Sequence, residues 1–365
     1  MPLDPPVIAR AGVDHTATVR AYRREITDIL AGNDDRIVAI VGPCSVHDVE
    51  SMQEYALRLA HTARAIRSEV CVVARVYTEK PRSRHGWPGL MLDPDLDGSF
   101  RVNKGIAMSR QIMSDVVSTG LPVATEFVEP TLTPYVEDLT AWGAIGARTV
   151  ESPTHRRLVA GLNLPVGFKN RADGAVSPAV DAIAAVQESQ ALVTVDDQGR
   201  STWDISAGNA ATHLVLRGGE SGTNFDDVSV RGAIDLAAQV QTNPRLVIDC
   251  SHGNSGKDYL RQPIVADAVA DQISQGQDGI AGVMLESFIE AGKQPLGPAL
   301  EYGVSVTDSC MDIDTTQRVL KNLAEAVRNR RRLATTRTLM KQDLASFAHW
   351  SPRRISPADT AGVAG

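Results

Sequence analysis

A chain of 365 residues and 39.1 kDa has room for two domains of about 150 residues each, or for one α/β barrel of roughly 200 to 400 residues. Hydrophobic residues at 43% and charged residues at 22%, with 29 Gly and 19 Pro, exclude disordered and collagen-like compositions and allow a sizeable core. The net charge of −7, from 37 basic against 44 acidic residues, supplies no general field for nucleic acid or anionic membrane, so any phosphate-binding site must be local.

No apolar run nears the ~18 residues of a membrane span, and the opening MPLDPPVIARAG lacks a basic-then-apolar signal pattern. A cytoplasmic protein is expected, with neither membrane nor nucleic acid as partner. Residues 1–36 have too little apolar periodicity for a domain and read as an N-terminal extension. The first strand-like run is IVAIVGPCS (37–45), followed by the amphipathic stretch SMQEYALRLAHTARAIR (51–67). Further runs rich in Val and Ile recur at 70–77, 121–127, 142–149, 164–170, 212–219, 245–252 and 280–287, each closing on polar residues or glycine. Helical patterns at 232–241 and 263–274 separate the later ones. Eight βα units over 37–335 predict a (β/α)8 TIM barrel. Two segments fall outside that count: 78–105, with Pro81, Pro88 and Pro94, reads as a long loop, and 191–206 as a hairpin inserted across a DQG turn. Residues 336–365 read as a C-terminal tail. The cations of RNRRR (328–332) are expected to end the last helix, where they complement its dipole. Trp87, Trp142, Trp203 and Trp350 are expected to pack, and His47 to form hydrogen bonds.

A TIM barrel carries its active site on the face built by the C-terminal strand ends. Here these ends bring Cys44, Arg75, Glu126, Arg148, Lys169, Arg217, His252 and Glu286, joined by Lys80 and Arg82 in the long loop and by Asp308 after the eighth unit. A single strand-end Arg is ordinarily a solvated or paired charge. Basic residues from several strands at one mouth would repel each other unless an anion joined them, so one or two anionic groups are expected there. Cys44, His252 and Glu286 lie on strands one, seven and eight, neighbours once the sheet closes. With Asp308 they offer a thiolate, an imidazole and two carboxylates, a set suited to a divalent transition metal. Cys71, Cys250 and Cys310 complete the cysteines, and no CxxC pair points to a zinc ribbon or disulfide framework.

The phrases GPCS (42–45), RVYTEKPRS (75–83), WGAIGART (142–149), PVGFKN (165–170), LRGG (216–219), DCSHGNS (249–255), GVMLES (282–287) and SVTDSC (305–310) resemble, in order and spacing, the type I 3-deoxy-D-arabino-heptulosonate 7-phosphate (DAHP) synthases. The resemblance implies condensation of phosphoenolpyruvate with erythrose 4-phosphate and water, the first step of the shikimate pathway. It also implies that Cys44, His252, Glu286 and Asp308 ligate a divalent ion, with Mn, Co or Fe expected. Arg148 and Arg217 match groups holding the phosphate of phosphoenolpyruvate, Arg75 and Lys169 other contacts to it, and Lys80 a position between both substrates. Arg82 and Ser83 match contacts to the sugar phosphate. Glu126 matches an acid that could order the attacking water, and Lys80, Glu126 and His252 are the expected catalytic residues. A homo-oligomer, dimer or tetramer, is expected. A related synthase acting on a different aldose phosphate would share most of this set, though the KPRS loop favours the four-carbon sugar. A non-catalytic metabolite-binding barrel would be marked by loss of a ligand or cation, and none is lost.

Overall fold

The structure, a computed structural model, describes residues 2–10, 12–82 and 86–348, with 341–348 by backbone alone. A short helix α1 (Pro6–Ala9) and a longer α2 (Thr16–Ala31) lead to strand β1 (Ile37–Gly42). Gly32, at φ +80°, ends α2 in a left-handed cap that a Cβ would disfavour. Helix α3 (Val49–Ile66) begins at Asp48, whose carboxylate accepts from the Ser51 backbone N–H. Then follow β2 (Val70–Arg75), α4 (Val102–Ser118), β3 (Val123–Glu126), β4 (Trp142–Ile145), α5 (Pro153–Gly161), β5 (Val166–Lys169) and α6 (Ser177–Val186). A hairpin of β6 (Ala191–Val195) and β7 (Ser201–Ile205) comes next, and the remaining units are β8 (Thr212–Leu216), α7 (Asp227–Ala237), β9 (Leu246–Asp249), α8 (His252–Ser255), α9 (Gln262–Ser274), β10 (Ile280–Glu286) and α10 (Ile313–Ala348).

Among the described residues, eight parallel strands close a barrel in the order β1-β10-β9-β8-β5-β4-β3-β2, and β6 and β7 pair only with each other. This is a TIM barrel. Alternation along each strand divides its side chains between two environments. Val38, Ile40, Val73, Trp142, Val215, Val247 and Met284 fill the lumen, and Ile26 and Ile29 of α2 join them. Ile37, Ala39 and Val41 instead pack in the layer between strands and outer helices. The N-terminal extension thus contributes two fully buried isoleucines to the barrel interior, although its sequence shows weak periodicity.

Several elements depart from the sequence expectation. Between β3 and β4 the chain forms two 3-10 turns, Pro130–Tyr135 and Glu137–Leu139, because Pro134 cannot donate within a helix. Helix α7 starts at Asp227, where Asp226 caps it, earlier than the apolar pattern indicates. Helix α10 continues past 335, so the cations of 328–332 lie inside it and not at its end. They serve as contacts to the N-terminal side of the barrel: Arg331 donates to both Asp35 carboxylate oxygens, Arg330 to the Asp35 carbonyl, and Arg328 lies 3.4 Å from Glu69. Trp87 and Trp142 pack as expected, but Trp203 is 69% exposed on the hairpin. His47 is buried with Nδ1 lacking a hydrogen bond, and its ring meets Phe288 edge-on at 5.9 Å. Trp350 lies outside the described residues.

Two glycines in helices make opposite predictions. A Cβ at Gly105 in α4 would lie 2.2 Å from the Met91 carbonyl oxygen, whereas one at Gly232 in α7 would meet nothing within 4 Å. Gly105→Ala should therefore destabilise by about 1–3 kcal/mol through overpacking. Gly232→Ala should stabilise by about 0.5–1 kcal/mol through helix propensity. Urea denaturation midpoints of the two variants check both signs.

Candidate active site

Closure of the barrel pairs Gly42 of β1 with Glu286 of β10, which brings the residues just beyond β1 to the end of β10. Cys44 is fixed there from two sides: its backbone N–H donates to Cys310 Sγ (3.3 Å), and Lys80 Nζ donates to both its sulfur (2.8 Å) and its carbonyl (3.0 Å). Cys44 Sγ, a Glu286 oxygen and an Asp308 oxygen all lie within 4.8 Å of one another. His252 stands just outside this trio, with Nε2 at 3.5 Å from Glu286 Oε1. Its Nδ1 is occupied by Asp249 Oδ2 and Ser251 Oγ, each at 2.9 Å. A proton on Nδ1 shared with Asp249 leaves the Nε2 lone pair facing the trio, the usual way a carboxylate prepares an imidazole for a metal.

The donor set fits a divalent ion. Glu286 Oε1 is buried and accepts no hydrogen bond, although Arg75 Nη2 stands 3.2 Å away. Burial and the neighbouring Glu286 push the Cys44 thiol up, with Lys80 opposing, so a bound cation would favour the thiolate. Burial also works against ionised Asp308, but Lys80, Lys257 and His252 outweigh it and hold the carboxyl at about 2.

Beside this group opens a cavity of about 330 Å³. Lys80, Arg82, Arg148, Lys169, Arg217 and Lys257 line it, together with Glu126, His252 and Asp308. Cationic residues from distant parts of the sequence therefore meet in one space. Each is positioned differently. Lys169 is buried and donates to Asp249 Oδ2 at 2.9 Å. Arg217 is oriented through its backbone N–H, which donates to Asn170 Oδ1 (2.7 Å), and burial lowers the pKa of its guanidinium. Arg82 Nε donates to the Trp87 carbonyl at 2.9 Å, tying the long loop to itself. Glu126 ends β3, and a Cβ at Gly146 would stand 2.1 Å from its Oε1, so the bare glycine leaves this carboxylate its place.

Arg75 lies deeper than the other cations. It does not line the cavity: only 1% of it is exposed, and it lies beneath. Its guanidinium stacks 3.8 Å over the Tyr77 ring, donates to the Pro43 carbonyl and pairs with Glu286. In this arrangement it orients a candidate metal ligand. Ser83 lies outside the described residues. Two residues absent from the sequence expectation belong to the site. Asp249, the first residue of DCSH, joins His252 and Lys169, and Lys257, five residues past His252, lines the cavity and pairs with Asp308 at 3.3 Å. The spacing to His252 within 249–257 was the available signal for both.

Residues 13–321 match the model of the DAHP synthetase I family. The chain belongs to this family. It is 47% identical over 325 residues to a phospho-2-dehydro-3-deoxyheptonate aldolase of Corynebacterium glutamicum, covering 87% of this chain and 88% of that protein. It is 42% identical over 310 residues to the Tyr-sensitive enzyme of that name from Escherichia coli, covering 84% and 87%. The solved structure of the Francisella tularensis phospho-2-dehydro-3-deoxyheptonate aldolase superposes with a TM-score of 0.88 at 41% identity, over 90% of this chain and 98% of that one. As a member of this family, the chain has its polar cavity where a TIM barrel places its chemistry.

Asp249 is the residue on which to test the site's internal support. Burial opposes its charge, but His252 and Lys169 hold its carboxyl well below the ordinary range. A carboxyl with a depressed folded pKa contributes stability above its unfolded value, about 3.9, and loses that contribution as pH falls through the folded value. Asp249→Asn leaves Lys169 buried without its partner and should cost about 3–5 kcal/mol at neutral pH. The deficit should shrink as pH falls below about 4, which urea denaturation across pH 2–7 would reveal.

Proposed function

We propose that the chain is a metal-dependent DAHP synthase, which condenses phosphoenolpyruvate with erythrose 4-phosphate and water to give DAHP and inorganic phosphate at the entry to the shikimate pathway. The observation that carries this reading is the meeting of six cationic side chains with the Cys44, Glu286 and Asp308 donors around one cavity, in a chain of this family. Two phosphorylated anions repel each other in water. A cavity with fixed guanidinium and ammonium groups cancels that repulsion and holds the reacting carbons together, a positioning and electrostatic effect.

Arg148 and Arg217 bind the phosphate of phosphoenolpyruvate, and Lys169 its remaining anionic part. Arg82, with Ser83, binds the sugar phosphate. Cys44, His252, Glu286 and Asp308 would hold a divalent ion, Mn, Co or Fe by the mixed sulfur, nitrogen and oxygen set, and this ion would polarise the aldehyde as a Lewis acid. The methylene carbon of phosphoenolpyruvate forms the new bond to the aldehyde carbon. Lys80 Nζ, between Cys44 and the cavity, donates a proton to the developing alkoxide. Glu126 orders the water that adds to the adjacent cationic carbon. The water gives up one proton to solvent as it adds, and phosphate then leaves with the C–O bond electrons, taking the remaining hydroxyl proton as the carbonyl forms.

The KPRS loop favours the four-carbon sugar over the longer aldose of related synthases. Stripping metal with chelator should abolish phosphoenolpyruvate consumption, and Mn²⁺, Co²⁺ or Fe²⁺ should restore it. Arg148→Ala and Arg217→Ala should each raise KM for phosphoenolpyruvate about ten- to hundredfold, the loss of one hydrogen bond to a charged group. Arg82→Ala should instead raise KM for erythrose 4-phosphate. Steady-state kinetics with each substrate varied separately reads this division, and a rise for one and the same substrate in all three variants would contradict it.

A further inference from the structure

The first residue of α8 and the residue after its Gly256 cap hold left-handed backbone despite carrying a Cβ: His252 at φ +52° and Lys257 at φ +62°. Such conformations cost about 1–2 kcal/mol and persist where surrounding structure imposes them. Here Gly256 (φ +63°) turns the chain, and the Lys257 backbone N–H donates to the His252 carbonyl at 2.7 Å. The consequence of the strain is that both side chains reach the same cavity. His252 has its place beside Glu286. Lys257 has none in the chemistry described so far.

Its surroundings distinguish it from the deeper cations. Lys169 is buried on Asp249, and Lys80 is bound to Cys44. Lys257 is 53% exposed at the side chain, and its ammonium stands 3.3 and 3.4 Å from the two Asp308 oxygens. An ion pair that long and that solvated contributes little, so an arriving dianion can draw the ammonium from it cheaply. Asp308 does not depend on this contact, since Lys80 and His252 also act on its carboxylate. Arg217 and Arg148 lie close enough to repel one another, which marks them as a pair for one anion. Arg82 and Lys257 are the cations of the same cavity left outside that pair and outside the Lys80 and Lys169 contacts, and both are exposed, as Arg148 is.

We propose that Lys257 is a binding residue for the phosphate of the sugar substrate, acting with Arg82, and that the left-handed backbone at 257 exists to present it. This rests on the synthase reading above. Lys257 leaves Asp308 as the sugar phosphate enters and returns when product departs.

The test uses Lys257→Gly, which removes the amine while glycine accepts the left-handed backbone without strain, and Lys257→Arg, which keeps the charge. Lys257→Gly should raise KM for erythrose 4-phosphate about tenfold or more, leave KM for phosphoenolpyruvate within about twofold of wild type, and unfold at no lower urea concentration. Lys257→Arg should recover most of the sugar KM. Mn²⁺ binding, followed by electron paramagnetic resonance, should be no weaker in Lys257→Gly. A sugar KM that does not move, an equal rise for both substrates, or weakened Mn²⁺ binding would overturn the proposal, the last by showing that Lys257 serves only Asp308. If Lys257→Gly does not fold, Lys257→Asn carries the same comparison, because Asn also tolerates this conformation. Failure of the synthase reading looks different: wild-type protein would then consume no phosphoenolpyruvate with erythrose 4-phosphate, and the proposal would fall with it before any variant was made.

Discussion

The carboxylate of Asp249 has no exposed surface, yet it accepts from Lys169 Nζ, from the Ser251 hydroxyl and from His252 Nδ1. An isolated buried carboxylate would be costly, and an isolated buried ammonium equally so. Together they neutralise each other and lock two strand ends, β5 and β9, into one geometry. Loss of Asp249 would leave Lys169 uncompensated and free the imidazole ring to turn. The direction of His252 Nε2, on which the candidate metal centre depends, is therefore set by a residue that touches no substrate.

The same logic repeats one strand further round the barrel. Glu286 is buried beside Arg75, and Arg75 is held by the Pro43 carbonyl and the face of Tyr77. Burial opposes the charge of Glu286, but His252, Arg75 and Lys80 keep its carboxyl below its ordinary range. These buried pairs form a floor beneath the cavity. Above them, Arg82, Arg148 and Lys257 are exposed to solvent, where pairing is weak and exchange with an anion is easy. Fixed charges below and exchangeable ones above suit the proposed reading, in which an ion would stay in the site and phosphorylated substrates would come and go.

The barrel was legible because its strands are uninterrupted apolar runs, as expected for strands covered on both faces. With eight strands, strand position groups Cys44, His252 and Glu286, and Asp308 follows just after the eighth unit, although 242 residues separate Cys44 from Glu286 in the chain. Depth was not legible. Arg75 and Lys80 occupy the same motif, but Arg75 ends β2 and is buried under the floor, whereas Lys80 stands in the loop beyond the strand and lines the cavity. The support of α2 for the lumen was hidden because only a few of its residues, Val19, Ile26 and Ile29, are buried. The arginines of α10 were misplaced because their partners, Asp35 and Glu69, are distant in sequence. Lys257 was overlooked because its one local mark is its spacing to His252, while its left-handed backbone and its partner Asp308, 51 residues away, show only in the fold.

Convergence of Cys44, His252, Glu286 and Asp308 on one divalent ion is tested most directly by titrating metal-stripped protein with Co²⁺ and recording its absorption spectrum. One equivalent should saturate a thiolate-to-cobalt charge-transfer band in the near ultraviolet, and Cys44→Ser should abolish that band. Bound Co²⁺ without the band, or a band that survives Cys44→Ser, would contradict the assignment.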